Sequence, residues 1–131
     1  MANTKTVGDI SEAKVLAKFI ELGWAVMIPF GENQRYDLVL DRGKGLERVQ
    51  VKTAHYKSGA IRFKSCSQRT RTCIKDKYNG QADLFGIYCL ELDKVYLMNI
   101  DETDHQELTL RLERPKNNQS KYIRWATNYE A

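Results

Sequence analysis

Residues 36–52 run Tyr36-Asp37-Leu38-Val39-Leu40-Asp41, then Arg42-Gly43-Lys44-Gly45-Leu46, then Glu47-Arg48-Val49-Gln50-Val51-Lys52. Two runs that mix apolar and polar residues flank a turn carrying two glycines, which is the pattern of a β-hairpin. Side chains alternate across a strand. Tyr36, Leu38 and Leu40 are therefore expected on one face of the first strand, and Asp37, Val39 and Asp41 on the other. On the second strand Val49 and Val51 oppose Gln50 and Lys52. If the polar faces adjoin, an acid, an amide and a lysine meet at one spot.

The chain has 131 residues, 42% of them apolar, which suits one domain, residues 1–131, with a single core. No apolar run is long enough to span a bilayer, and Met1–Thr6 lacks the apolar stretch of a signal peptide. A cytoplasmic protein with no membrane association is the expectation. Cys66, Cys73 and Cys89 leave one thiol over in any pairing and show no CxxC spacing, so reduced thiols fit better than disulfides. His55 and His105 carry no zinc signature.

The net charge of +4 is modest, but it is unevenly placed. Between Lys52 and Lys77 there are eight basic residues, Lys52, Lys57, Arg62, Lys64, Arg69, Arg71, Lys75 and Lys77, against Asp76 alone. Such a segment beside a polar site points to a polyanion, most simply nucleic acid. The competing reading is an ordinary lysine-rich wet surface.

Upstream, Asp9 and Glu12 form a capping-box-like pair that would open a helix running to Leu22 and stopping at Gly23. Its apolar stripe is Val15, Leu16, Phe19 and Ile20. Glu12 lies one turn before them, so it either caps the helix or points toward the hairpin. Trp24–Ile28 is a short strand ended by Pro29. The loop Phe30–Arg35 then leads into Asp37, and its Asn33, Gln34 and Arg35 are suitable donors to phosphates or base edges.

Downstream, Lys57-Ser58-Gly59 is a turn, and Ala60–Lys64 alternates as a strand with one basic face. Ala82–Leu90 is the most apolar strand, Val95–Ile100 its hairpin partner, and Gln106–Leu112 a further strand. Lys121–Ala126 is short and amphipathic, compatible with a helix, and its Tyr122, Ile123 and Trp125 are compatible with an interface. The sum is an α/β (α+β) domain, a leading helix on a central mixed β-sheet.

Hydrolysis of a phosphodiester draws on a metal that polarises the phosphate and yields hydroxide near neutral pH. Mg²⁺ takes oxygen ligands and keeps several waters. Asp37 is the strongest candidate ligand, with the Gln50 amide oxygen, the Val51 carbonyl and Glu12 as further donors. Lys52 can orient the attacking water or stabilise growing negative charge. The plain alternative is a hairpin with one solvent-facing side.

The order of Glu12, Tyr36-Asp37 and Gln50-Val51-Lys52 resembles the PD-(D/E)XK nuclease superfamily, with Tyr-Asp at the PD position and Gln-Val-Lys at the (D/E)XK position. The runs Pro29–Asp37, Tyr78–Tyr88 and Asn117–Ala126 are similar to a group that includes cyanobacterial intron-encoded homing endonucleases. That resemblance implies a restriction-endonuclease-like αβββαβ core with helices flanking the sheet. It also implies Mg²⁺-dependent cleavage of double-stranded DNA, with Mn²⁺ able to substitute, and a homo-oligomer, tetramer or dimer, in which two subunits cut. Glu12, Asp37, Gln50 and Lys52 match the family's active-site positions, and the homing group shares the glutamine. The expected DNA contacts are Asn33, Gln34, Arg35, Lys57, Arg62, Lys64, Arg69, Arg71 and Lys75. A Holliday-junction-resolving nuclease and a non-catalytic DNA-binding module of the same fold are the alternatives.

Overall fold

The computed structural model describes residues 3–31, 33–65, 81–102, 107–114 and 123–131. Helix α1 spans Thr4–Glu21. The strands are β1 (Ala25–Met27), β2 (Leu38–Asp41), β3 (Leu46–Lys57), β4 (Ala60–Lys64), β5 (Leu84–Cys89), β6 (Lys94–Asn99) and β7 (Glu107–Arg111). One α-helix is present among the described residues. The second helix that the αβββαβ pattern implies is not among the described residues.

The seven strands form one sheet whose axis is β3. At twelve residues it is long enough to take three different neighbours. Its start pairs antiparallel with β2, from Asp41↔Leu46 to Leu38↔Val49. Its middle pairs parallel with β5, from Val49↔Leu84 to Ala54↔Cys89. Its end pairs with β4, from His55↔Arg62 to Lys57↔Ala60. β1 extends the sheet beyond β2, β6 beyond β5, and β7 beyond β4. Ser58 and Gly59, at φ 53° and 78°, make the two-residue turn between β3 and β4, whose left-handed positions match the twist of the strands.

The sequence placed the strand after the hairpin turn at Glu47–Lys52; it continues to Lys57. Thr53–Tyr56 follow the same period of two, and only the two-residue turn ends it. The alternation also stops short of Tyr36. Leu38 and Leu40 are buried under α1, whereas Tyr36 precedes β2 and packs on the opposite side of the sheet.

Helix α1 begins earlier than Asp9. Asn3 is the cap, its side chain accepting from the Thr6 N–H at 2.8 Å, and Glu12 sits in mid-helix with no capping duty. Ser11, Val15 and Phe19 form the buried face, while Ile20 is 59% exposed. At spacings of four, Ser11, Val15 and Phe19 point down one side, and Ile20 is rotated off it. The helix lies close to the sheet because position 86 has no side chain. A Cβ on Gly86 would come within 2.8 Å of Val15 Cγ1 and 3.2 Å of Val49 Cγ1.

The core has two layers. Val15, Phe19, Leu38, Val49, Leu84 and Tyr88 fill the space between α1 and the sheet. Ile61, Phe63, Phe85, Ile87, Tyr96 and Leu110 pack on the far face. Every residue of β5 is buried, as its unbroken apolar run predicts for a strand covered on both sides. Near the C-terminus an amphipathic helix does not form among the described residues. Trp125 bridges to Arg111 in extended conformation before a 3₁₀ turn at Ala126–Asn128, and Ile123 and Trp125 are half-buried.

Candidate active site

The site lies where β3 changes partners. Pairing with β2 ends at Leu38↔Val49, and pairing with β4 starts at His55↔Arg62. Asp37 closes the β2 side: its N–H donates to the Val49 carbonyl at 2.8 Å. Its carboxylate Oδ2 then accepts the next N–H along, that of Val51, at 2.9 Å. A side chain thus completes the ladder where the strand backbone has turned away. Within a strand, the N–H and C=O of one residue point to the same edge. The Val51 carbonyl therefore opens toward the same gap as Asp37.

The ladder between β2 and β3 ends at Leu38↔Val49, and Gln50 is the next residue along β3. Gln50 Nε2 approaches the Val51 carbonyl oxygen at 3.4 Å, a long, weak contact. Two residues further, Lys52 projects from the same face, with Nζ 6.0 Å from the centre of the Phe85 ring. Glu12 reaches the spot from α1, whose rotation is fixed by the hydroxyl pair Ser11 and Thr53 at 2.6 Å.

Charges in this pocket influence one another. Burial raises the Asp37 carboxyl above its ordinary value, against the Val51 N–H and Lys52, which lower it. Glu12 is raised by burial and by the nearby charges of Asp37 and Asp9. Burial pushes Lys52 down to about 8, with Asp37 opposing and Arg35 assisting the shift. Two acids are drawn together with one amine of weakened basicity to balance them. Such a pair is short of positive charge.

Among the described residues no three His, Cys, Asp or Glu side chains cluster as a ready-made cage. The available donors are two carboxylates close enough to influence each other's charge, the Gln50 amide and the Val51 main-chain carbonyl. All are hard oxygen ligands, which suit Mg²⁺ or Mn²⁺ and leave room for waters. The donor set fits such an ion, and a divalent charge there would lower both raised carboxyls.

The expected DNA contacts divide into groups. Arg35 is near enough to affect Lys52. Asn33 and Gln34 are exposed in the loop before Asp37. Arg62 and Lys64 are exposed on β4 and share a cleft with Lys52, whereas Lys57 is exposed at the hairpin tip. Arg69, Arg71 and Lys75 lie outside the described residues. Sequence reasoning passed over Ser11 and Thr53. A serine four residues before Val15 on an apolar stripe was the available signal. It also passed over Arg48 and Asp83, joined by side-chain bonds of 3.1 and 3.2 Å, by the Arg48 N–H donating to the Asp83 carboxylate at 2.8 Å and by the Asp83 N–H donating to the Arg48 carbonyl at 2.8 Å. Together they lock the start of β5 against β3 next to Gln50.

Comparison with solved structures finds a bacterial homing endonuclease, I-Ssp6803I, at TM-score 0.71 and 26% identity, covering 99% of this chain and 88% of that one. Hjc, a Holliday junction resolvase from Archaeoglobus fulgidus, aligns at TM-score 0.47 and 12% identity over 79% of this chain and 83% of that one. No curated protein sequence matches. A family model described as PD-(D/E)XK endonuclease matches residues 2–131, and the chain belongs to the PD-(D/E)XK endonuclease family.

Proposed function

We propose that this protein is a metal-dependent endonuclease that cuts double-stranded DNA at specific sites, in the manner of a homing enzyme. The observation that carries the reading is the Asp37 carboxylate held on the Val51 N–H at 2.9 Å, in the gap of the sheet where Gln50, Val51, Lys52 and Glu12 converge. The similarity to a bacterial homing endonuclease across nearly the whole chain supports site-specific cutting over a general nuclease.

Glu12, Asp37, the Gln50 amide oxygen and the Val51 carbonyl would hold Mg²⁺, with Mn²⁺ as a substitute. The ion supplies Lewis acidity toward the scissile phosphate and a more acidic water. Asp37 is fixed by the main chain, so it presents its second oxygen in one orientation. Gln50 turns its amide, which meets the Val51 carbonyl through nitrogen in this structure, to offer oxygen instead. Lys52, half-buried and of weakened basicity, exchanges a proton at Nζ with the attacking water or meets the developing charge on the phosphate. Arg35, Arg62 and Lys64 neutralise flanking phosphates, and Asn33 and Gln34 reach base edges.

One site cuts one strand, so a double-strand break calls for a homo-oligomer, dimer or tetramer. The exposed Met27, Ile28 and Phe30 at and beyond the edge strand β1 are suited to such an interface. No described helix is long and apolar enough to cross a membrane. Action on genomic DNA would call for a location inside the cell.

The deciding experiment is incubation of plasmid and random-duplex libraries with the protein and Mg²⁺. Linear product with a recoverable common sequence is expected, and Asp37→Ala and Lys52→Ala each abolish it. Cleavage that persists unchanged in both variants would remove the proposed site. Cutting confined to four-way junctions would replace sequence by structure as the determinant. DNA binding without cleavage in Mg²⁺ or Mn²⁺ would leave a binding module.

A further inference from the structure

The first turns of α1 overhang the β3–β4 hairpin and leave a cleft of about 550 Å³, within the range of ligand-sized pockets. Thr4, Gly8, Ser11 and Val15 follow one another at helical spacing, so they share the side that faces the sheet. Contact with the sheet is closed at Val15, which touches the Gly86 position, and at Ser11, which bonds Thr53. One turn earlier it is open. A Cβ built on Gly8 meets nothing within 4 Å.

Gly8 is therefore a glycine without an internal reason. Its backbone is helical, it is not at a turn, and no neighbour needs the space. Glycine inside a helix weakens it relative to alanine. The floor beneath carries more cations than carboxylates. Arg62 and Lys64 project from the exposed side of β4 and make no hydrogen bond or ion pair among the described residues. His55 stands opposite Arg62 in the ladder, and Lys52 lines the same cleft and belongs to the candidate site. Glu107, facing Lys64 in register, is the one carboxylate among the described residues that lines it.

We infer that this cleft seats the sugar-phosphate backbone of the DNA strand next to the scissile phosphate, and that Gly8 supplies the clearance for it. The inference rests on the nuclease reading above and gives it a path. Lys52 lies at the cut, Arg62 and Lys64 bind the phosphates beyond it, and the missing side chain of Gly8 lets the strand pass beneath α1.

The test is fluorescence anisotropy of a labelled random-sequence duplex, titrated with the full chain at several salt concentrations, beside thermal melting of each variant. Gly8→Ala should raise Tm by roughly 2–4 °C and weaken duplex binding several-fold. Gly8→Leu, which fills the cleft, should weaken binding at least tenfold with Tm no lower than in the parent. Arg62→Ala and Lys64→Ala should each reduce the slope of log K against log[salt] by about 0.9. Gly8→Leu binding as tightly as the parent would overturn the cleft. So would unchanged salt slopes in both cation variants, which also serve should Gly8→Leu fail to fold. Asp37→Asn separates the two readings. Parent cleavage abolished in Asp37→Asn, with Gly8→Leu binding normally, sinks the cleft alone. Parent binding lost in Gly8→Leu, with no cleavage by any protein, sinks the catalytic reading alone.

Discussion

Ser11 on α1 and Thr53 on β3 share a hydroxyl–hydroxyl hydrogen bond of 2.6 Å across the helix–sheet interface. Ser11 is fully buried. The bond sets the rotation of α1 and so the direction in which the next residue, Glu12, extends. Ser11→Ala strands the Thr53 hydroxyl and should cost about 1–2 kcal/mol in urea denaturation. It should also slow DNA cleavage by about tenfold or more, since small misplacements of a reacting group are expensive. A rate equal to the parent's would show that Glu12 is positioned by other contacts.

Asp37 presents a conflict between stability and the proposed chemistry. Its folded pKa is raised, so the charged form is disfavoured by folding. The sign follows: stability linked to this group is full below the unfolded value of 3.8 and is lost as pH rises through the folded value. Asp37→Asn removes the charge and keeps an oxygen for the Val51 N–H. It should melt at least as high as the parent at neutral pH without metal. With millimolar Mg²⁺ the parent's Tm should rise by a few degrees, the variant's should not, and cleavage should fall at least 100-fold in the variant.

In the proposed site Gln50 stands where the (D/E)XK motif would have an acid. Gln50→Glu should tighten Mg²⁺ binding, seen as a larger thermal shift on adding the ion. It should also lower the metal-free Tm by placing a third carboxylate beside two whose pKa values are already raised. Gln50→Leu should retain the fold and lose cleavage. Full activity in Gln50→Leu would mean that the amide oxygen has no part in holding the ion.

The Arg48–Asp83 pair is expected to show its contribution in acid. Hydrogen bonds from Arg48 hold the Asp83 carboxyl below its ordinary value of 3.8. The stability it adds is present above that value and is lost as pH falls through the folded value. Asp83→Ala should cost about 1 kcal/mol at pH 7, a modest figure because the pair is largely exposed, and the difference from the parent should shrink as pH falls through the folded value. Denaturant titrations at pH 7, 4 and 2.5 would measure it.

The hairpin at 36–52 was legible because its alternation and its glycines agree, and β5 because nothing polar interrupts Leu84–Cys89. The start of α1 was not. Asp9 and Glu12 imitate a capping box in mid-helix, whereas the true first turn, Thr4–Val7, has little apolar patterning to mark it. That misreading had a useful correction, because a Glu12 released from capping is a stronger site candidate. Tyr36 was placed on the wrong face because the strand begins two residues later, and period-two reasoning fails where the backbone is not extended. Gly8 could not be interpreted from sequence at all. Its lack of neighbours is a property of the gap between two elements, not of the helix that contains it.

Strand β3 gives the molecule a division of labour along one backbone. Its inner half carries the donors of the candidate centre, and its outer half carries the hairpin arm of β4 and β7. The two halves share a main chain and one core face, and they meet at the cleft that Lys52 lines with Arg62 and Lys64. Substitutions at the exposed positions of the arm, Arg62 and Lys64, leave untouched the main-chain bonds that fix Asp37 against Val49 and Val51. The reverse does not hold, because any slip in register at the inner half rotates the entire arm. Under the proposed function, a chain built this way acquires new targets more readily than it acquires a new reaction.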